Sequence, residues 1–244
     1  MRRLSIVLTP VLLVAGCAAV PPDPHRIAVF AAASLREAFT DLDADFRAAD
    51  PGAAVEFSFA GSADLLAQLT GGARADVFAS ADAATMDRAV DGGLVEEPVS
   101  FATNTLTIVV PLGNPKRIST FGDLPGVNVV SCAPQVPCGA ALTRLEAATG
   151  VDLAPVSEEN SVADVLNKVI SGQADAGLAY VTDARAAAGR VTAIAIPESV
   201  AAVNTYRIAP TRDTANPAIG RRFIEFVTGP TGREILRRAG FGPA

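Results

Sequence analysis

Short β-rich runs alternate with amphipathic helical patterns along most of this chain of 244 residues. Residues 27–30 are apolar throughout, as in a buried strand. In the segment that follows, Leu35, Phe39 and Leu42 lie on one face of a helix that begins at Ser34. This alternation predicts an α/β fold with mixed, mostly parallel sheets and helices on both faces.

The same patterns predict the remaining elements of the fold. Further strands are expected at residues 55–59, 76–80, 105–110, 127–131, 176–181, 191–196 and 204–209. Further helices are expected around residues 65–69 and at residues 83–90, 138–148, 161–170, 217–227 and 230–238.

The N-terminal segment, residues 1–17, has the pattern of a bacterial lipoprotein signal peptide. Two basic residues precede an apolar run too short to span a bilayer, and small residues then precede Cys17. This order predicts lipidation of Cys17 and an extracytoplasmic protein anchored to the cell membrane, with the proline-rich residues 18–25 as a tether. An ordinary signal peptide with an incidental Cys17 is the alternative.

The charge balance excludes several kinds of site. The chain has 26 acidic and 20 basic residues, a net charge of −6, so a basic surface for nucleic acid is not expected. The overall field also repels anions, and an anion site would have to be built locally. The single histidine, His25, lies in the predicted tether, which argues against histidine catalysis or a histidine-bound metal. The absence of Trp argues against a stacking platform for sugars or nucleobases.

Two cysteines follow the predicted signal segment, Cys132 and Cys138. An extracytoplasmic location allows them to persist as a disulfide, which we favour. Two free buried thiols are the alternative.

Four strand-to-helix junctions place small or hydroxyl residues where a helix begins, at residues 31–34, 60–62, 136–139 and 159–162. At the first junction, Ser34 and Glu37 have the spacing of a capping box. Helix N-termini expose unpaired N–H groups and can bind an anion without Lys or Arg. Any one such serine is expected only to cap its helix. Several junctions at the carboxyl ends of strands favour an anion site.

The detailed sequence of these junctions resembles the molybdate-binding proteins of ABC transporters, a type II periplasmic-binding-protein family. The resemblance covers nearly all of residues 26–244, with one departure at residues 72–76, where the family usually has Gly-Ala-Pro-Ala-Asp. The matching segments are AAASLREAF, FAGSADLLAQLTGGARADVFASAD, LTIVVPLGNP, PQVPCGAAL, ENSVADVLNKVISGQADAGLAYVTDA and NPAIGRRFIEFVTGPTGREILRRAGFGP.

The resemblance implies a two-lobed fold with the ligand cleft between the lobes. Lobe one would contain residues 26–103 and 205–244, and lobe two residues 104–204, with hinges near residues 103–105 and 202–204. It also implies a monomeric binding protein without a cofactor, which captures molybdate or tungstate and delivers it to an ABC transporter permease.

Five residues would bind the oxyanion by this resemblance. Ser34 and Ser62 would donate hydroxyl and backbone N–H hydrogen bonds, Cys138 and Val162 a backbone N–H, and Tyr180 its phenol. Cys138 stands where the family commonly has Ala, a change that a backbone donor tolerates. A metal would be bound only within the oxyanion.

The donor set agrees with the chemistry of molybdate, a fully deprotonated dianion near neutral pH. Phosphate keeps a proton there and favours a carboxylate acceptor. Asp64, two residues after Ser62, is interpreted as a first-turn residue that suits the helix dipole.

Other functions stay open at this point. A sulfate-, phosphate- or other oxyanion-binding protein of the same fold is one. A secreted serine hydrolase using Ser34 or Ser62 is another, although the chain lacks a G-x-S-x-G elbow and a suitable histidine. A structural or adhesive lipoprotein is the third.

Overall fold

The computed structural model describes residues 25–244. The predicted signal peptide, Cys17 and residues 18–24 of the predicted tether lie outside the described residues. The strands are β1 (Arg26–Ala32), β2 (Ala54–Ala60), β3 (Val77–Ser80), β4 (Val99–Asn104), β5 (Leu106–Pro111), β6 (Val129–Cys132), β7 (Ser157–Glu159), β8 (Ala176–Tyr180), β9 (Val191–Ile194) and β10 (Asn204–Pro210). The α-helices are α1 (Arg36–Ala49), α2 (Ser62–Thr70), α3 (Ala83–Asp91), α4 (Pro137–Thr149), α5 (Val162–Ile170), α6 (Val181–Ala186), α7 (Pro217–Thr228) and α8 (Pro230–Ala239).

These strands form two mixed sheets, as the two-lobed α/β prediction requires. The first has the order β2-β1-β3-β10-β4 and the second the order β7-β6-β8-β5-β9. Parallel pairs join β1 to β2 and β3, and β6 to β7 and β8. The antiparallel pairs all involve β5 or β10, the first strand after each passage of the chain between the sheets.

Each sheet has its own apolar core, made by helices that cover its faces. In the first, Phe39 of α1 is fully buried, with its ring centroid 6.0 Å from that of Phe57 and 5.9 Å from that of Phe223. In the second, Val165 and Val169 of α5 are fully buried in the core beside the sheet. Because each core is closed separately, the chain has a seam between the two sheets where a ligand can enter.

Three elements are absent from the sequence predictions. β4 carries two exposed residues at its start, β7 is a three-residue edge strand, and α6 has only six residues. β7 and α6 are too short to show a clear hydrophobic period, and β4 does not alternate between buried and exposed residues. Within residues 25–244, no helix is both long and apolar enough to cross a membrane.

The first helix begins differently from the prediction. Ser34 lies in a short 3₁₀ turn, Ala33–Leu35, and α1 begins at Arg36. No side-chain hydrogen bond caps either segment, so the predicted Ser34–Glu37 capping box is wrong. The Ser34 hydroxyl bonds instead to a tyrosine far along the chain.

Candidate functional site

Helix starts from both sheets meet at one small cavity. All five residues that the sequence predicts as ligands line it, and they come from β1–α1, α2, α4, α5 and β8. The lining residues are Ala32, Ala33, Ser34, Gly61, Ser62, Ala81, Pro137, Cys138, Asn160, Ser161, Val162 and Tyr180. The structure therefore brings the predicted residues together between the sheets.

The size of the cavity limits what it can hold. Its volume is about 20 Å³, little more than the roughly 10–15 Å³ that one water molecule requires. Pockets for organic ligands are usually several hundred Å³, on the order of 300 or more. A sugar, an amino acid or a peptide has no room in a cavity of this size, so its ligand must be compact.

Three helix N-termini supply backbone donors to this cavity. Ser62 and Val162 are the first residues of α2 and α5, and Cys138 is the first residue of α4 that has an N–H, since Pro137 has none. First-turn N–H groups have no partner within an α-helix. α2 and α4 also lack a side-chain cap, which leaves their N–H groups available to a ligand. Their dipoles add positive potential without a charged side chain.

The Ser62 hydroxyl is oriented by the backbone. The Ala81 N–H donates to Ser62 Oγ at 3.0 Å, and Ser62 is 2% exposed. Because an amide N–H can only donate, the serine oxygen accepts this bond and its own proton remains free. The cavity is the place where that proton can be donated.

The Ser34 hydroxyl is held by Tyr206 of β10. The two oxygens lie 2.8 Å apart, and Asn104 Nδ2 donates to the same phenol oxygen at 3.4 Å. Burial raises the pKa of Tyr206 far above its ordinary value, so this phenol stays protonated. Either hydroxyl can donate in this bond, and when Tyr206 is the donor the serine proton is available to an anion in the cavity.

Tyr180 ends β8 with its side chain 1% exposed. Burial raises its pKa well above 10, and nearby Tyr206, Asp82 and Asp183 reinforce the shift. Asn204 Nδ2 donates to the phenol oxygen at 2.6 Å. Tyr180 is therefore a neutral hydroxyl donor at physiological pH.

Comparison with known proteins shows which family the chain belongs to. The family profile of bacterial extracellular solute-binding proteins matches residues 27–242. The chain belongs to this family. Membership in a solute-binding-protein family, which the motifs imply, is thereby confirmed, and a solute-binding protein of this kind is not an enzyme.

One similar relative of this solute-binding protein is the molybdate-binding protein ModA of Mycobacterium tuberculosis H37Rv. It is 52% identical over an alignment of 253 positions, which covers 98% of this chain and 97% of that protein. The structure is similar to the periplasmic molybdate-binding protein of Azotobacter vinelandii (TM-score 0.78, 23% identity, 89% of this chain and 99% of that chain). It is also similar to the sulfate-binding protein SubI of M. tuberculosis H37Rv (TM-score 0.73, 23% identity, 90% and 87%). These two structural similarities show the fold.

None of the residues that line the cavity of this solute-binding protein, among those described at 25–244, carries a charged side chain. Asp64 is not among the lining residues, in line with its interpretation as a first-turn residue of α2. Ser161 lines the cavity, but its hydroxyl donates to Asp164 Oδ2 at 2.7 Å and caps α5. What faces the ligand is a set of neutral donors.

Cys132 and Cys138 are joined by a disulfide, with an S–S distance of 2.05 Å. It ties the end of β6 to the start of α4, where Cys138 lines the cavity. A Cβ atom on Gly139 would lie 1.9 Å from the Ala133 carbonyl oxygen, so only glycine allows this close approach.

The sequence did not predict the residues that hydrogen-bond to the cavity-lining side chains from behind. Asn104, Asn204 and Tyr206 orient the site hydroxyls but do not line the cavity. The rarity of tyrosine could have indicated Tyr206. The chain has only two tyrosines, and their ring centroids lie 6.1 Å apart at this site.

Proposed function

We propose that this chain captures molybdate, and also tungstate, outside the cytoplasm and delivers it to an ABC transporter permease. One observation carries the proposal: a cavity of about 20 Å³ is lined by hydroxyl-bearing residues and by the first residues of three helices, and none of its lining residues within 25–244 is charged. The 52% identity with a relative named molybdate-binding protein supports the choice of ion.

The proposed ligands are Ser34, Ser62, Cys138, Val162 and Tyr180. A fully deprotonated tetrahedral dianion offers only acceptors, and each of these residues presents a donor to the cavity. Phosphate carries a proton near neutral pH and would leave that proton without an acceptor there. An unpaired buried donor or acceptor costs about 1–3 kcal/mol, which is enough to discriminate against phosphate.

Neutral donors also suit a protein that must release its cargo. Capture by hydrogen bonds and helix dipoles leaves no buried salt bridge to break when the lobes separate at the permease. Opening the cleft exposes the ion to water, which replaces each donor directly.

The proposal includes the architecture and anchor predicted from the sequence. Residues 26–103 and 205–244 would move as one lobe and residues 104–204 as the other, in a monomer. Cys17 would carry the lipid that holds the protein at the membrane, and removing its thiol by Cys17→Ser is expected to release the protein into the soluble fraction.

The test is a calorimetric titration of the purified protein with molybdate, tungstate, sulfate and phosphate under identical conditions. Molybdate and tungstate are expected to bind, sulfate more weakly, and phosphate least. A clear response to phosphate with none to molybdate would overturn the proposal. Sulfate binding more tightly than molybdate would reassign the ion within the same fold.

A further inference from the structure

A buried asparagine connects the cleft to the second passage between the sheets. Asn204 is the first residue of β10 in the first sheet and is 1% exposed. Its side-chain partners, Pro137, Arg144 and Tyr180, all belong to elements around the second sheet. One amide group at the start of β10 thus contacts α4 and β8, two elements that supply residues to the cavity.

The orientation of this amide is determined by its neighbours. Arg144 Nη2 donates to Asn204 Oδ1, and a guanidinium cannot accept a hydrogen bond. Asn204 Nδ2 donates to the Pro137 carbonyl oxygen at 3.1 Å, and a carbonyl cannot donate. The oxygen therefore faces Arg144, and the nitrogen faces Pro137 and Tyr180.

This orientation sets the direction of the Tyr180 hydroxyl. The phenol oxygen accepts from Asn204 Nδ2 at 2.6 Å, so its single proton must be donated elsewhere. Among the described residues, no protein acceptor is bonded to that proton, and Tyr180 lines the cavity.

We propose that Asn204 is a positioning residue that directs the Tyr180 proton into the cleft and so makes the site select fully deprotonated oxyanions over protonated ones. The inference rests on the proposed function and deepens it. Asn204 would act through Tyr180, without touching the ligand. Asn204 lies at the boundary of the two proposed lobes, where β10 begins.

Asn204→Asp reverses the direction of the hydrogen bond between residue 204 and the Tyr180 phenol with little change of side-chain shape. The carboxylate keeps an acceptor for Arg144, whose charge balances it, but it accepts the Tyr180 proton instead of donating to the phenol. The cleft then loses a donor and faces a phenol lone pair. Molybdate affinity is expected to fall by about tenfold or more. Phosphate affinity is expected to fall less, so that the ratio of molybdate to phosphate affinity decreases.

A double-variant cycle with Tyr180→Phe separates positioning from a general structural effect. If Asn204 acts through the phenol, Asn204→Asp combined with Tyr180→Phe binds molybdate no more weakly than Asn204→Asp alone. If the two losses multiply, the positioning role is wrong. Thermal unfolding of the ligand-free variants checks that each is folded.

Arg144→Met tests the positioning role a second time and leaves the Asn204 amide in place. The exposed Arg144 no longer holds Asn204 Oδ1, so the amide can turn and the Tyr180 proton loses its fixed direction. A smaller loss of molybdate affinity is expected, and it should vanish in the Tyr180→Phe background. A loss that persists there would reflect only the removed charge and would contradict the proposal.

Titration of the wild-type protein distinguishes failure of the proposed function from failure of the inference about Asn204. Wild-type protein that binds no molybdate overturns the proposed function and this inference with it. Wild-type protein that binds molybdate, together with an unchanged molybdate-to-phosphate ratio in Asn204→Asp, overturns the inference alone.

Discussion

Each hydroxyl that faces the cleft has a hydrogen-bond partner within the protein. Ser62 accepts from a backbone N–H, Tyr180 from the Asn204 amide, and Ser34 bonds to Tyr206. The partners are buried, so water does not compete for these bonds. At the scale of single residues, the site is therefore a set of donors oriented before any ligand arrives, which reduces the entropy lost on binding.

Ser34→Ala and Ser62→Ala are each expected to weaken molybdate binding by about 1.5–3 kcal/mol, the cost of a lost hydrogen bond to a buried charge. Calorimetric titration measures the loss. Ser119→Ala, at an exposed serine, is the matched control and should bind as the wild type does. Losses in the site variants no larger than in this control would mean that neither hydroxyl contacts the ion.

The Asp183 carboxyl should make stability depend on pH. Burial raises its pKa to about 7, against the effect of the Tyr180 N–H that donates to it at 3.1 Å. The unfolded chain releases this proton near pH 4, so the folded state binds more protons between about pH 4 and pH 7. The stability from this group is full below about pH 4 and is lost as the pH rises through about 7.

Asp183→Asn should remove that contribution. Between pH 4.5 and 7, the free energy of unfolding of the variant is expected to fall less with rising pH than that of the wild type. Urea denaturation at several pH values measures the two slopes, and Asp41→Asn at an exposed position of α1 is the control. Equal slopes in Asp183→Asn and the wild type would show that Asp183 is ionised in the folded protein at acidic pH.

At the scale of secondary-structure elements, the sequence predicts which residues lie at helix starts. A small or hydroxyl residue between an apolar strand and an amphipathic helix is a local pattern, so Ser62, Cys138 and Val162 were predictable as residues at helix starts. The partner of Ser34 was not, because Tyr206 lies 172 residues away and only the pairing of β10 with β3 and β4 brings it near. Contacts set by strand pairing have no local signal.

Edge elements were missed for a related reason. β7 has the sequence Ser-Glu-Glu, which is polar at every position, and it forms only because β6 offers a free edge beside it. Its formation depends on the tertiary neighbour and overrides a weak intrinsic preference. The loop after it nevertheless supplies Asn160 and Ser161 to the cavity.

The disulfide at the start of α4 should affect stability more than binding. The pair Cys132→Ser and Cys138→Ser removes a short cross-link, which is expected to cost about 2 kcal/mol of unfolding free energy. The Cys138 N–H remains, since the proposed ligand atom belongs to the backbone. Affinity for molybdate should fall by less than in Ser62→Ala.

Urea denaturation and calorimetric titration of the double variant measure the two effects separately. The wild type treated with a reductant, with the unreduced protein as its control, should show the same ordering. Loss of binding in a variant that is still folded would indicate that the sulfur or the fixed loop, and not the N–H alone, holds the ion.

At the scale of the whole molecule, the cleft exists only where the two sheets approach each other. Gly61 at the start of α2 and Asn160 before α5 come from opposite sides, and a Cβ atom on Gly61 would lie 2.3 Å from the Asn160 carbonyl oxygen. That distance is well inside van der Waals contact. Glycine at this position therefore allows the two sides to meet over the cavity, as expected for hinge closure around a ligand.

Gly61→Ala should keep the lobes from closing while leaving each lobe folded. The backbone of Gly61 has φ −57° and ψ 138°, which alanine adopts without strain, so only the contact across the cleft is affected. Overpacking of this kind costs about 1–3 kcal/mol, and molybdate affinity is expected to fall by about tenfold or more. The thermal stability of the ligand-free variant should stay close to that of the wild type, because the open form relieves the clash.

Small-angle scattering with and without molybdate measures closure directly: the wild type should become more compact, and Gly61→Ala should do so less. Gly122→Ala, where a Cβ atom meets only the Thr120 hydroxyl at 3.7 Å, is the control. Full compaction and unchanged affinity in Gly61→Ala would mean that the lobes close without this contact.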